Sequence, residues 1–199
     1  MSHGLKNEGA KITAQLLETT DAMEVVNGIL IPALDSAGKL FEQGKIFLPQ
    51  LIQTAGVAQA AFEVIKTTLI ERNAAPVSRG EIVLATVKGD IHDIGKNIVR
   101  VLLENYGYTV LDLGRDVPCQ LVADTAKEHG VKLVGLSALM TTTLGAMEET
   151  IQLVKQACPD CKVVVGGAVL TADYAEKIGA DFYAKDAMET VAVAKEVVG

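Results

Sequence analysis

The chain has 199 residues, 49% of them hydrophobic and 22% charged, with 18 Lys and Arg against 25 Asp and Glu for a net charge of −7. These proportions fit one large or two small globular domains and exclude disorder along the whole chain. The acidic balance argues against a nucleic-acid partner held by phosphate attraction. No run reaches the roughly 20 apolar residues of a membrane span, and the polar start MSHGLKNEGAKITAQ lacks the apolar stretch of a signal peptide. Only three cysteines are present, so the expectation is a reducing cytoplasm, with no nucleic acid and no membrane as partner.

In chain order, residues 5–72 contain apolar positions at three- and four-residue spacing and no strand-like run. Four helices are predicted, over 8–18, 22–40, 47–55 and 56–72, with Pro49 suited to the first turn of the third. Helices of this size share a core as a small bundle, which defines an N-terminal domain over 1–75. A short polar hinge follows at 73–80. Beyond it, apolar strand-like runs at 81–87, 108–113, 132–137, 162–165 and 181–183 alternate with helical stretches at 95–105, 118–129, 143–156, 171–178 and 186–197. Five such units over 79–199 predict a Rossmann-like α/β domain, an open five-stranded parallel sheet covered on both faces. Cys158-Pro159-Asp160-Cys161 forms a C-x-x-C just ahead of a strand, where a redox motif would open a helix; a turn with reduced thiols is the expected outcome.

Ligands of such sheets sit at the carboxyl ends of the strands, and three of those ends carry chemistry. After the first strand comes Gly89-Asp90-Ile91-His92-Asp93-Ile94-Gly95-Lys96-Asn97. It fits neither a dinucleotide fingerprint nor a phosphate-binding loop, which would need Gly where Asp90 stands and Ser or Thr where Asn97 stands. An Asp two residues before a His can orient the imidazole as a metal ligand. With only His3 and His129 elsewhere, His92 suits a metal that brings its own coordination; the alternative is a capping His at a helix start. After the third strand, Ser137, Thr141, Thr142 and Thr143 place four hydroxyls in seven residues, with Thr142 or Thr143 open to a helix N-cap role instead. After the fourth, Gly166-Gly167-Ala168 permits a close backbone approach or a turn with positive φ.

Asp90-x-His92-x-x-Gly95, Ser137-x-Leu139 and Gly166-Gly167, in this order, resemble the signature of the cobalamin-binding (corrinoid) domain. The segment Leu40-Phe41-Glu42-Gln43-Gly44-Lys45-Ile46-Phe47-Leu48-Pro49-Gln50 is similar to that family's helical cap. The resemblance implies a four-helix cap followed by a flavodoxin-like sheet domain. It implies cobalamin as cofactor, cycling between methylcobalamin and cob(I)alamin, with His92 as lower ligand of cobalt. Asp90 and Thr143 would extend the ligand into a relay, Thr143 standing where methionine synthase has a Ser. Cofactor binding would draw on Gly89, Asp90, His92, Asp93, Ile94, Gly95, Ser137, Leu139, Met140, Thr141, Gly166, Gly167, Ala168, Tyr183 and Ala187, with Phe47 as a bulky cover on the upper face.

Possession of the cap points to the methyl carriers, and Gly166–Thr171 with Ala180–Ala187 is most similar to the cobalamin-binding region of methionine synthase. The implied function is methyl relay between a donor and an acceptor methyltransferase module in homocysteine methylation, with a reductive activase as further partner. The alternatives are a stand-alone corrinoid protein of a methanol, methylamine, methoxyl or betaine system, and a cobalamin-dependent sensor. The chain is not expected to turn over alone.

Overall fold

The structure, a computed structural model, describes residues 2–71 and 78–199. The expected hinge over 73–80 falls mostly on residues 73–77, outside the described residues. Two compact units result: the described residues up to Ser78 with Glu104–Gly107, and Arg79–Leu103 with Tyr108–Gly199.

The first unit is helical. It comprises α1 (Ser2–Leu16), α2 (Ala22–Val25), a π-helical turn (Val26–Leu30), α3 (Ile31–Glu42) and α4 (Leu48–Glu71). The π turn has a cause in the sequence. Pro32 has no N–H and its ring presses on the carbonyl four residues earlier, so the ladder widens just before it. Ile31 N–H accordingly reaches Val26 O, five residues back. The boundary expected between 55 and 56 does not occur, because α4 runs unbroken through it. A Cβ on Gly56 would meet only the end of the flexible Lys6 side chain, whereas one on Gly9 of α1 would lie 2.6 Å from Val57 Cγ1. Gly9 lets α1 and α4 approach closely. Pro49 occupies the first turn of α4, and Gln50 Oε1 accepts the Phe47 N–H at 2.8 Å. Leu17, Ala22, Val25, Val26 and Ile65 form a buried core cluster.

The second unit alternates strands and helices: β1 (Glu81–Thr86), α5 (Ile94–Asn105), β2 (Thr109–Asp112), α6 (Cys119–His129), β3 (Leu133–Ser137), α7 (Leu144–Ala157), β4 (Lys162–Gly166), α8 (Ala172–Lys177), β5 (Phe182–Ala184) and α9 (Ala187–Val197). All strand pairs are parallel, in the order β2-β1-β3-β4-β5. Strand residues are buried on both faces, as helices on each side require. One face packs Val83, Ala85, Val134, Leu136, Val163 and Val165 into a core with Val122, Met147 and Ile151. Strand order reverses between β1 and β3, so their carboxyl-end loops part there and leave the crevice in which such sheets bind ligands.

Asp112 ends β2 and anchors the first turn of α5. Lys96 Nζ, almost fully buried, donates to Asp112 Oδ1 at 2.5 Å, and Arg100 donates to Oδ2 at 3.1 Å. Burial alone would raise the Asp112 carboxyl; the Lys96 bond, the Gly114 N–H and the Lys96 and Arg100 charges outweigh it and hold it low. A carboxyl lowered on folding stabilises fully above its unfolded value and loses that contribution as pH falls through the folded one. Lys96→Met is expected to cost about 2 kcal/mol at pH 7, since Arg100 remains as partner. The gap from wild type should narrow below about pH 4, where the carboxyl is protonated in the unfolded chain. Urea unfolding at the two pH values checks both statements.

The C-x-x-C motif lies in the turn joining α7 to β4, with Cys161 N–H bonded to Cys158 O at 3.0 Å. Burial, with Cys158 and Asp181 adding, pushes the Cys161 thiol up to about 12. Both thiols are free and Cys161 is buried, at the amino edge of the sheet.

Candidate functional site

The β1 strand is pinned on both sides, and its following loop inherits that order. Val87 N–H bonds Ser137 O at 3.1 Å, and Val117 N–H bonds Thr86 O at 3.1 Å. Three residues on, Asp90 turns back under the loop and is completely buried. Its Oδ1 accepts the backbone N–H of His92 at 3.0 Å and faces His92 Nδ1 at 2.8 Å. Its Oδ2 accepts the backbone N–H groups of Leu139 at 2.7 Å and Met140 at 3.1 Å. One carboxylate therefore joins the loops after β1 and β3 across the switch point. Burial by itself would raise this carboxyl; the N–H groups of His92 and Leu139, the His92 ring and the Met140 N–H outweigh it and hold it at about 2. Asp90 is thus an anion throughout the physiological range.

An ionised acceptor requires a donor at Nδ1, which fixes the neutral His92 tautomer with its lone pair on Nε2. The ring is 47% exposed, and Nε2 has no partner among the described residues. Ile91, 60% exposed, and Ile94, 79% exposed, lie within two residues of His92 in the chain, and Leu139 and Met140, whose N–H groups bind the same carboxylate, are also exposed. The site thus offers one oriented nitrogen donor amid apolar side chains.

Thr143 Oγ1 lies 3.3 Å from Asp90 Oδ2 and 2.8 Å from Met140 O. A hydroxyl has one proton, and the shorter, better-placed acceptor is the carbonyl. Thr143 occupies the N-cap position of α7 without a side-chain capping bond, so the N-cap alternative is not realised there. The Asp90 contacts that sequence reasoning missed are the two backbone N–H groups of Leu139 and Met140, which no side-chain pattern encodes. It also missed Thr86, fully buried, whose hydroxyl pairs with Ser137 Oγ at 2.9 Å.

The remaining predicted residues are distributed as follows. Gly89 precedes Asp90, while Asp93 caps the loop with its carbonyl on Asn97 N–H at 2.8 Å and Gly95 lies in the first turn of α5. Thr141 opens the short 3₁₀ turn after β3. Gly166 and Gly167 end β4 beside that turn: Ala138 N–H bonds Gly166 O at 3.2 Å, and a Cβ on Gly167 would lie 1.9 Å from Ala138 O. Ala168 follows, exposed. The Tyr183 hydroxyl donates to Leu170 O at 3.2 Å and so closes the loop after β4. Ala187 opens α9 behind its N-cap Asp186. Phe47 belongs to the helical unit, at the start of α4, and is 73% exposed.

This arrangement fits the cofactor that the resemblance implies. Among the described residues no group of three or more His, Cys, Asp and Glu could cage a bare metal ion. A single oriented imidazole suits a metal already held in a macrocycle, and the glycine at 167 is what the close approach of Ala138 O requires. No described helix is long and apolar enough to cross a membrane.

Comparisons with known proteins agree. A family model described as B12 binding domain matches residues 80–192, and a second of the same description matches residues 2–66. Dimethylamine corrinoid protein 1 of Methanosarcina acetivorans is 43% identical over 180 residues, covering 89% of this chain and 84% of that protein. The crystal structure of a novel cobalamin-binding protein from Desulfitobacterium hafniense matches with a TM-score of 0.70 at 33% identity, covering 98% of both chains. A chain of the methanol:cobalamin methyltransferase complex of Methanosarcina barkeri matches with a TM-score of 0.80 at 26% identity, covering 98% of this chain and 80% of that one.

Proposed function

The chain belongs to the family of B12-binding corrinoid proteins, and from that premise we propose that it is the corrinoid protein of a methylated-amine methyltransferase system. The choice over a methionine synthase module rests on its similarity to dimethylamine corrinoid proteins across most of their length. A cytoplasmic setting, with all three cysteines free, belongs to the same reading.

The observation that carries the site assignment is the Asp90–His92 pair, 2.8 Å apart, with Nε2 left open. Bound cobalamin supplies a cobalt centre able to take up and release a methyl group. His92 Nε2 would be the protein's ligand to that metal. Asp90 Oδ1 keeps the proton on Nδ1 and raises the basicity of the opposite nitrogen. The exposed Ile91, Ile94, Leu139 and Met140 would offer apolar surface to the bound group, and the loop after β4 that begins at Gly166-Gly167 would border its nucleotide tail. Ser137 and Thr141 border that path, and partner methyltransferases bring the donor and acceptor.

The test is a visible absorption spectrum of the cobalamin-loaded protein beside His92→Ala. The wild type should give a base-off, histidine-bound spectrum that the variant lacks. The variant removes one of the four bonds to the buried Asp90 carboxylate and keeps the three backbone ones, so it should stay folded while losing about 1.5–3 kcal/mol. Methyl transfer from dimethylamine with a dimethylamine methyltransferase, and none to homocysteine without that partner, completes the test. Retention of the histidine-bound spectrum by His92→Ala overturns the site, and transfer with methionine synthase modules alone overturns the amine system.

A further inference from the structure

Asp116 has the one positive φ outside glycine among the described residues, +52°. An Asp tolerates that region better than most side chains, yet the conformation still costs energy and persists only where surrounding bonds over-determine it. Two such bonds are present. Asp116 Oδ1 accepts the Gly89 N–H at 2.7 Å, and Asp116 N–H donates to Asp90 O at 2.9 Å. The left-handed turn is what lets the side chain and the backbone of one residue grip consecutive residues of the neighbouring loop.

That grip meets the ligand loop where it matters. Asp90 N–H already bonds Val87 O at 3.0 Å, and its carboxylate holds His92, Leu139 and Met140. The Asp116 contacts add two more handles, the N–H of Gly89 and the carbonyl of Asp90 itself. The Asp116 turn is itself anchored, with Thr86 N–H on Gly114 O at 2.9 Å and Gly114 N–H on Asp112 Oδ1 at 2.9 Å. The end of β2 is thereby tied to the ligand loop after β1.

We propose that Asp116 is a positioning residue for the cofactor ligand: through Gly89 and Asp90 it sets the direction in which His92 presents Nε2. The role rests on the cobalamin-binding reading above. It acts through the backbone of the ligand loop, as outer partners of metal-bound histidines act through hydrogen bonds.

The experiment uses Asp116→Gly, which removes the acceptor while relieving the positive φ, and Asp116→Asn, which keeps an acceptor oxygen and tolerates the same backbone. In cofactor-free protein, the Gly89 amide is followed by NMR hydrogen exchange. It should be protected in the wild type and in Asp116→Asn and exchange as in an open loop in Asp116→Gly. With cobalamin bound, Asp116→Gly should lower the ratio of histidine-bound to histidine-free cofactor by about tenfold, and Asp116→Asn should restore it. An unprotected Gly89 amide in the wild type overturns the proposal without any variant. So does an Asp116→Gly that keeps the wild-type spectrum, or an Asp116→Asn that fails as badly as Asp116→Gly. A wild type lacking the histidine-bound spectrum overturns the cofactor reading itself and this role with it, a result the cofactor-free exchange measurement cannot mimic.

Discussion

Asp90→Ala should be the most damaging single substitution at the site, lowering stability by roughly 3–5 kcal/mol as expected when a buried charge is removed from its partners. The buried carboxylate satisfies the N–H groups of His92, Leu139 and Met140 as well as the His92 ring. Removing it leaves buried donors without acceptors and separates the two loops of the switch point. Thr143 is less affected, because its hydroxyl keeps Met140 O. Asp90→Asn should do little better, since an amide NH₂ must then face N–H donors on one side of the group. In the wild type this carboxyl is held at about 2. Its contribution is therefore whole above the unfolded value near 3.9 and disappears as pH falls toward 2. Asp90→Ala should lack that part of the acid limb in a denaturation series between pH 5 and pH 2. Cobalamin retained by the variant should bind about 10- to 100-fold more weakly, read by spectroscopic titration.

Gly167→Ala comes second. Its φ is +133°, and the added Cβ would lie 1.9 Å from Ala138 O, a backbone atom of the β3 loop. Neither partner can yield as a flexible side chain would, so the two strand ends must separate. The cost should be about 2–5 kcal/mol, strain and overpacking together. Gly166→Ala is the internal control: its Cβ would meet Ala184 O at 3.0 Å with no positive φ, and it should cost less. Thermal denaturation of both proteins without cofactor ranks them. The reverse order would show that the close approach at Gly167 is not what requires glycine.

The sheet was legible because its signal is local. Runs such as Val163-Val164-Val165 need burial on both faces, and each of the five expected strands appears within two residues of its expected limits. The helical unit was less so. Gly56 carries no mark that distinguishes a helix break from the interior of a helix, since what decides it is the packing of α1 on α4, where Gly9 meets Val57. The π turn before Pro32 was missed for a related reason: a proline announces a disturbance without saying how the chain absorbs it. At the site, Asp90 and His92 stand two residues apart and could be paired on paper. The Leu139 and Met140 amides lie nearly fifty residues away and act through atoms common to every residue. Asp116 was likewise silent, because neither its backbone conformation nor its bond to Gly89 leaves a trace in composition or spacing.

Leu139 and Met140 hold Asp90 with their peptide N–H groups while their side chains face outward. The two tasks are carried by different parts of the same residues. Replacement of either side chain by another of similar size reshapes the apolar surface beside the imidazole and leaves the imidazole where it is. A scaffold arranged in this way can retune the apolar bed of its ligand by ordinary drift at two positions while the bonds that orient the imidazole stay untouched.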